Sequence, residues 1–157
     1  MKNLALCLSA MLLSFHLACF AAPITCVPVK NKAQQHNNIM LGEEMTEPAT
    51  QVYFLKNVSK KSLWLDRYTQ HFSTTTGWAS YLRPGQWSAL LLTKKDFLLS
   101  CAVIQPGKVT YENCAQAISV CVPNGLALNT KRKGGYWLVE DKTWEELLRV
   151  LERKSVK

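Results

Sequence analysis

The chain has 157 residues, 48% of them hydrophobic, with six cysteines and a formal net charge of +8. That length suits one domain able to bury a real core without depending wholly on crosslinks, and no internal repeat divides it. The positive excess directs the surface towards anionic partners.

Lys2 precedes an apolar run from Leu4 to Phe20, broken by Ser9, Ser14 and His16, and small residues follow at Ala18, Ala21 and Ala22. This is the pattern of a secretory signal peptide cleaved after Ala21. The run is shorter than the ~20 apolar residues a membrane span needs, and His16 stands where a lipobox wants an aliphatic residue, against a lipidated Cys19. Cleavage leaves 136 of the 157 residues, starting at Ala22, with the net charge reduced from +8 to +7 by the loss of Lys2. No transmembrane anchor then remains, and the expected location is periplasmic or secreted. There the available anions are envelope polymers, lipid headgroups and acidic proteins, whereas nucleic acid is excluded by compartment.

Export also sets the chemistry of the cysteines. Cys26, Cys101, Cys114 and Cys121 survive cleavage, and an even set in an oxidising compartment reads as two disulfides. Four cysteines allow three pairings; Cys101 with Cys114 across a predicted hairpin and Cys26 with Cys121 are favoured. A zinc site is disfavoured because the set contains no C-x-x-C pair.

Residues 22–50 hold the amide-rich run Gln34 to Asn38 and three glutamates with little periodicity, which predicts an extended or disordered arm adding little core. From Gln51 onward, β-branched and aromatic runs alternate with turn residues. Strands are expected at Val52 to Lys56, Leu63 to Tyr68, Trp78 to Leu82, Trp87 to Leu92, Phe97 to Ile104, Val109 to Asn113, Ala117 to Val122 and Tyr136 to Val139. Arg83-Pro84-Gly85-Gln86 and Gln105-Pro106-Gly107-Lys108 fit type II turns, each expected to join neighbouring antiparallel strands. In the first of these hairpins Trp78 and Trp87 should pack on one another. The other tryptophans, Trp64, Trp137 and Trp144, are read as core too, although aromatics beside cations could stack on a glycan or anionic polymer.

Trp144, Leu147, Leu148 and Leu151 recur at helical spacing, predicting an amphipathic helix over 141–154. Thr143 with Glu146 makes a capping box, and Asp141 is an alternative N-cap. The expected whole is a mainly β, small antiparallel β-sandwich (Ig-like) over 51–157, disulfide-stabilised and closed by this C-terminal helix.

Catalytic material is thin. Beyond the leader the histidines are His36, in the arm, and His71, beside Asp66 and Ser73; no nucleophile elbow supports a Ser-His-Asp set. Asp66 and Glu112 are the carboxylates expected on strands, with nothing to show that they face one another. His36, Met40 and Met45 form a series of soft ligands suited to copper, a weak alternative, and no cofactor is expected. The densest basic cluster, Lys131, Arg132 and Lys133, is the expected contact for an anionic envelope component or protein partner.

Four stretches together resemble a known family: Val52-Tyr53-Phe54-Leu55-Lys56-Asn57, Leu82-Arg83-Pro84-Gly85-Gln86-Trp87, Leu99-Ser100-Cys101 with Cys114 and Val120-Cys121, and Tyr136-Trp137-Leu138-Val139-Glu140-Asp141. The pattern is similar to the enhanced entry protein EnhB family, small exported proteins of intracellular Gammaproteobacteria associated with entry into host cells. The resemblance implies a non-enzymatic envelope factor and carries over no catalytic residue. An inhibitor or ligand of a wall-degrading enzyme, inserting the loop Ser73 to Gly77 or Asn124 to Gly135, is the alternative function.

Overall fold

Val52–Leu55 and Leu90–Leu92 are apolar without alternation, as strands covered on both faces must be. The computed structural model describes residues 24–30, 37–42, 50–68, 79–93, 97–124, 126 and 135–155. In it the two runs lie in β3 (Gln51–Asn57) and β6 (Trp87–Leu92), which pair antiparallel inside one sheet. That sheet is completed by β1 (Thr25–Pro28), β9 (Ile118–Asn124) and β10 (Tyr136–Lys142), in the order β1-β9-β3-β6-β10. A second sheet has the order β2-β7-β4-β5, formed by β2 (Ile39–Leu41), β4 (Leu63–Arg67), β5 (Ser80–Leu82) and β7 (Phe97–Gln105). The far end of β7 pairs with β8 (Lys108–Glu112).

Three layers result. Tyr53, Leu55, Leu90 and Leu92 of the first sheet meet Ile39, Leu41, Leu63, Leu65, Leu82 and Leu99 of the second. On its other face the first sheet presents Val52, Phe54, Ala89, Leu91 and Val139 to Leu147 and Leu151 of α2 (Trp144–Ser155). Burying both faces of the first sheet is the dominant favourable contribution, since each fully buried large aliphatic side chain contributes roughly 1.5–3 kcal/mol. Thr143 is the N-cap of α2: its N–H donates to Glu146 Oε2 at 3.1 Å and its Oγ1 accepts from the Glu146 N–H at 3.3 Å. Asp141 is occupied elsewhere, accepting from the Arg83 N–H at 2.8 Å and from Arg83 Nε at 2.7 Å.

Both expected disulfides are formed, Cys26–Cys121 and Cys101–Cys114. The first fastens edge strand β1 to β9; the second ties β7 to α1 (Cys114–Ala117), the single helical turn that follows β8. The expected mainly β sandwich, closed by a C-terminal helix, is therefore the fold.

Four local expectations are corrected. Residues 22–50 do contribute core, because Ile39 and Leu41 of β2 are buried between the sheets. Residue 117 ends a helical turn instead of opening a strand, since Asn113 Oδ1 caps the turn by accepting from the Ala115 N–H. The Gln105–Lys108 turn does close a hairpin, but the Arg83–Gln86 turn passes the chain from β5 in the second sheet to β6 in the first. Its proline and Gly85, at φ +74°, fix a local bend and say nothing about which strands pair. What fixes the crossing is Asn57, whose C=O accepts from the Gly85 N–H at 2.9 Å, whose N–H donates to Gln86 O at 3.0 Å, and whose Nδ2 donates to Leu82 O at 2.8 Å. The hairpin expected to pair Trp78 with Trp87 is thus absent. Trp78 lies outside the described residues, and Trp87 packs instead on Trp144, ring centroids 4.7 Å apart, with Lys56 Nζ 5.4 Å from its own ring centroid.

Candidate binding face on the second sheet

Helix α2 covers the outer face of the first sheet, and no described element does the same for the second. In Leu63-Trp64-Leu65 and Ser80-Tyr81-Leu82 the flanking residues point into the sandwich and are buried, so the pleat turns Trp64 and Tyr81 outward. Register aligns four strands into one outward row: Tyr81 opposite Trp64, Trp64 opposite Ala102, and Ala102 opposite Tyr111. The Trp64 and Tyr81 rings touch, centroids 5.5 Å apart at 57°. Beside the row, Ile104 of β7 faces Val109 of β8. Exposure is high for such residues: 36% for Trp64, 41% for Tyr81, 52% for Tyr111, 44% for Ile104 and 43% for Val109. A contiguous exposed apolar surface of this kind marks a contact site more often than scattered single residues do.

Trp64, Tyr81 and Ile104 also line an open concavity of about 530 Å³, together with Lys61, Lys108 and Glu112. Ser62, Gln105 and Thr110 add hydroxyl and amide groups to its wall. Among these lining residues Lys61 Nζ donates to Glu112 Oε1 at 2.7 Å. An aromatic surface ringed by hydroxyls, amides and ammonium groups can take a ring-shaped, hydroxylated or anionic ligand. Among the described residues lining it, no hydroxyl is hydrogen-bonded to a base.

Asp66 lies two residues beyond Trp64 on the same outward face, opposite Ser100. Burial pushes its carboxyl above the ordinary carboxylate range, against a smaller opposing effect from the Arg67 N–H, which donates to Oδ1 at 2.7 Å. The folded state therefore holds this proton more tightly than the unfolded chain. Its contribution to stability is complete below the ordinary aspartate pKa and is lost as pH climbs through the raised folded value. Asp66→Asn should accordingly raise the urea midpoint at neutral pH and leave it unchanged in acid, below the carboxylate range; a midpoint that falls at neutral pH contradicts the assignment.

Of the residues singled out from sequence, Asp66 and Glu112 are kept apart. They sit opposite Ser100 and Cys101, adjacent residues of β7 that point to opposite faces, so they form no catalytic pair. Met40 occupies the middle of β2, opposite Leu98; His36 and Met45 lie outside the described residues. So do Lys131, Arg132 and Lys133, His71, and Ser73 to Gly77. Among the described residues no group of three or more His, Cys, Asp and Glu side chains is gathered to hold a metal, and no helix is long and apolar enough to cross a membrane. The two disulfides fit an oxidising compartment. The chain matches no protein-family model, no curated protein and no solved structure.

The reading of the tryptophans as core therefore fails for the exposed Trp64, whereas Trp87, Trp137 and Trp144, the last of which opens α2, are half-buried against the core. The outward row was nonetheless encoded: period-two alternation in Leu63-Trp64-Leu65-Asp66 separates Trp64 from its leucine neighbours.

Proposed function

We propose that this is an exported, non-enzymatic envelope protein that uses the outer face of the second sheet to hold an anionic envelope glycan. The observation that carries the reading is the outward row Tyr81–Trp64–Ala102–Tyr111, in which the three aromatic side chains are exposed beside a buried Ala102 on a face that no described element covers as α2 covers the other sheet. Trp64 and Tyr81 offer flat amphipathic rings on which sugar faces can stack, and Lys61 and Lys108 at the rim match an anionic polymer. After cleavage the formal charge, lowered from +8 to +7 by the loss of Lys2, adds long-range attraction to the same ligand. The signal-peptide pattern ending at Ala21, together with two disulfides in the fold, supports export to the periplasm or beyond. Resemblance to the enhanced entry protein EnhB family supports the same setting, and with it an accessory role in host-cell entry or envelope maintenance.

The test is co-sedimentation of the oxidised chain with purified cell-wall sacculi across a salt series. Trp64→Ala with Tyr81→Ala should reduce retention about tenfold or more, equivalent to about 1.4 kcal/mol, and added salt should weaken the wild-type interaction. Charge reversal at Lys131, Arg132 and Lys133 tests the competing basic cluster. Loss of retention there, with the aromatic variant unaffected, contradicts the proposal, and wild-type protein that leaves the sacculi unbound while capturing an envelope protein points to a protein partner.

A further inference from the structure

Strand β7 has β4 on one side and β8 on the other, and β4 leaves it early. The β4 ladder runs from Arg67 opposite Leu99 to Trp64 opposite Ala102 and stops there, whereas the β8 ladder continues to Gln105 opposite Lys108. Asn57 holds the chain before β4 away from β7, its Nδ2 donating to Lys61 O at 2.8 Å. The gap left between Lys61-Ser62 and Val103-Ile104-Gln105 is the concavity of about 530 Å³ that Trp64 and Tyr81 also line.

Alternation along the ladder decides which backbone groups face this gap. The Tyr68 N–H donates to Leu98 O at 2.7 Å, and bonded and non-bonded positions alternate on an antiparallel pair. Leu98, Ser100 and Ala102 therefore aim their backbone groups at β4. Ile104, two residues on, aims its N–H and C=O the same way with no β4 residue opposite it. Among the described residues neither group has a hydrogen-bond partner, and the residue is 44% exposed.

We propose that Ile104 pairs with the last residue of a short peptide, carried as a branch on the envelope glycan. That residue lies extended and antiparallel to β7: its N–H donates to Ile104 O, and its terminal carboxylate accepts from the Ile104 N–H, a one-residue case of strand addition. A lone N-acetyl group cannot make both bonds, because the N–H and C=O of one trans amide point in opposite directions. The N–H and carboxyl of a single extended residue point to the same side. Charge favours the same occupant. Lys61 and Lys108 line the gap, Lys108 has no ion pair among the described residues, and Lys61 spends one of its three donors on Glu112. A carboxylate held by a backbone N–H and an ammonium group makes charge-assisted bonds, which are the stronger kind.

Trp64 and Tyr81 belong both to this gap and to the aromatic row, so a peptide seated at Ile104 is continuous with a sugar stacked beside it. That continuity favours a branch on the glycan over the free end of a protein chain. The inference rests on the glycan reading for the source of the peptide, and on the register of β7 alone for the pairing.

Titration of isotopically labelled, oxidised protein with N-acetyl-trialanine, followed by backbone amide resonances, tests the pairing. The peptide should bind with a Kd of about a millimolar, with its largest shift at the Ile104 N–H. Amidation of its carboxylate, or N-methylation of its last residue, should each weaken binding about tenfold. The preference for a free carboxylate should be lost in Lys61→Met combined with Lys108→Met. Ile104→Pro removes the N–H facing the gap while sparing the bonds of Val103 and Gln105 to β8, and should abolish binding with the near-ultraviolet spectrum retained. Glycan strands bearing their peptides should bind at least about tenfold more tightly than the free peptide or strands stripped of it, because the two contacts are linked. Shifts that miss Ile104, or affinity indifferent to amidation and N-methylation, would overturn the pairing. Stripped strands that bind as tightly as intact ones would also overturn it, while leaving the glycan reading in place. A peptide that binds as predicted beside strands that do not bind at all would support the pairing, overturn the branch as its source and contradict the glycan reading.

Discussion

Asn57→Ala lowers the free energy of unfolding by about 3 kcal/mol, a large share of the roughly 5–15 kcal/mol that holds a domain together. Asn57 is fully buried at the end of β3. Its Nδ2 donates to Leu82 O and to Lys61 O, both at 2.8 Å, and its Oδ1 accepts from the Ser59 N–H at 2.9 Å and Oγ at 2.8 Å. One side chain thus ties the loop after β3 to the end of β5, and its main chain ties both to the Arg83–Gln86 crossing. Alanine leaves the Leu82 carbonyl without this donor in a place water cannot reach, and an unmet buried polar group costs more than the bond it made. Ser59→Ala removes one donor to Oδ1 and should cost about 1 kcal/mol or less. Urea denaturation with an unchanged m-value reads both differences; equal effects from the two substitutions would contradict this role for Asn57.

Cys26→Ala with Cys121→Ala is expected to cost about 4 kcal/mol. The two cysteines are 95 residues apart in sequence, and opening so long a loop returns considerable entropy to the unfolded chain. The effect should begin locally. Apart from Cys26, the residues of β1 are exposed, so little apolar burial holds the strand against β9 once the crosslink is gone. Hydrogen exchange in the double variant should therefore show β1 amides, and the Val29 N–H that donates to Val120 O at 2.9 Å, opening well before those of β3 and β6. Retained protection along β1 would mean that the ladder alone suffices.

The elements that could be read from the sequence are those whose structure is decided by near neighbours. The capping box at Thr143 and Glu146, the apolar spacing of Trp144, Leu147 and Leu151, and the Pro-Gly bend at residues 106 and 107 depend on a few consecutive residues. Pairings set by distant parts of the chain were harder to see. Arg83–Gln86 has the same turn chemistry as Gln105–Lys108, yet it crosses between sheets because Asn57 and Asp141, far away in sequence, capture its backbone. Likewise, β2 follows a run poor in apolar residues, and Ile39 and Leu41 become core only when β7 is present to pair with them.

Much the same division holds for the binding face. Alternation in Leu63-Trp64-Leu65 encodes which way Trp64 points, although the tryptophan is read as core from the sequence. That Tyr81, Ala102 and Tyr111 fall in line with it depends on the register of three pairings, which no local pattern contains. The basic cluster at 131–133 drew attention because it is contiguous in sequence, while the aromatic row is contiguous only in space.

The most direct test of this face is to titrate isotopically labelled, oxidised protein with soluble anionic fragments of cell wall and follow its backbone amide resonances. The proposal predicts shifts concentrated at Trp64, Tyr81, Ala102, Ile104 and Tyr111, with the amides of α2 unmoved. Shifts confined to α2 or to Lys131, Arg132 and Lys133, leaving the outer face of the second sheet untouched, would contradict it.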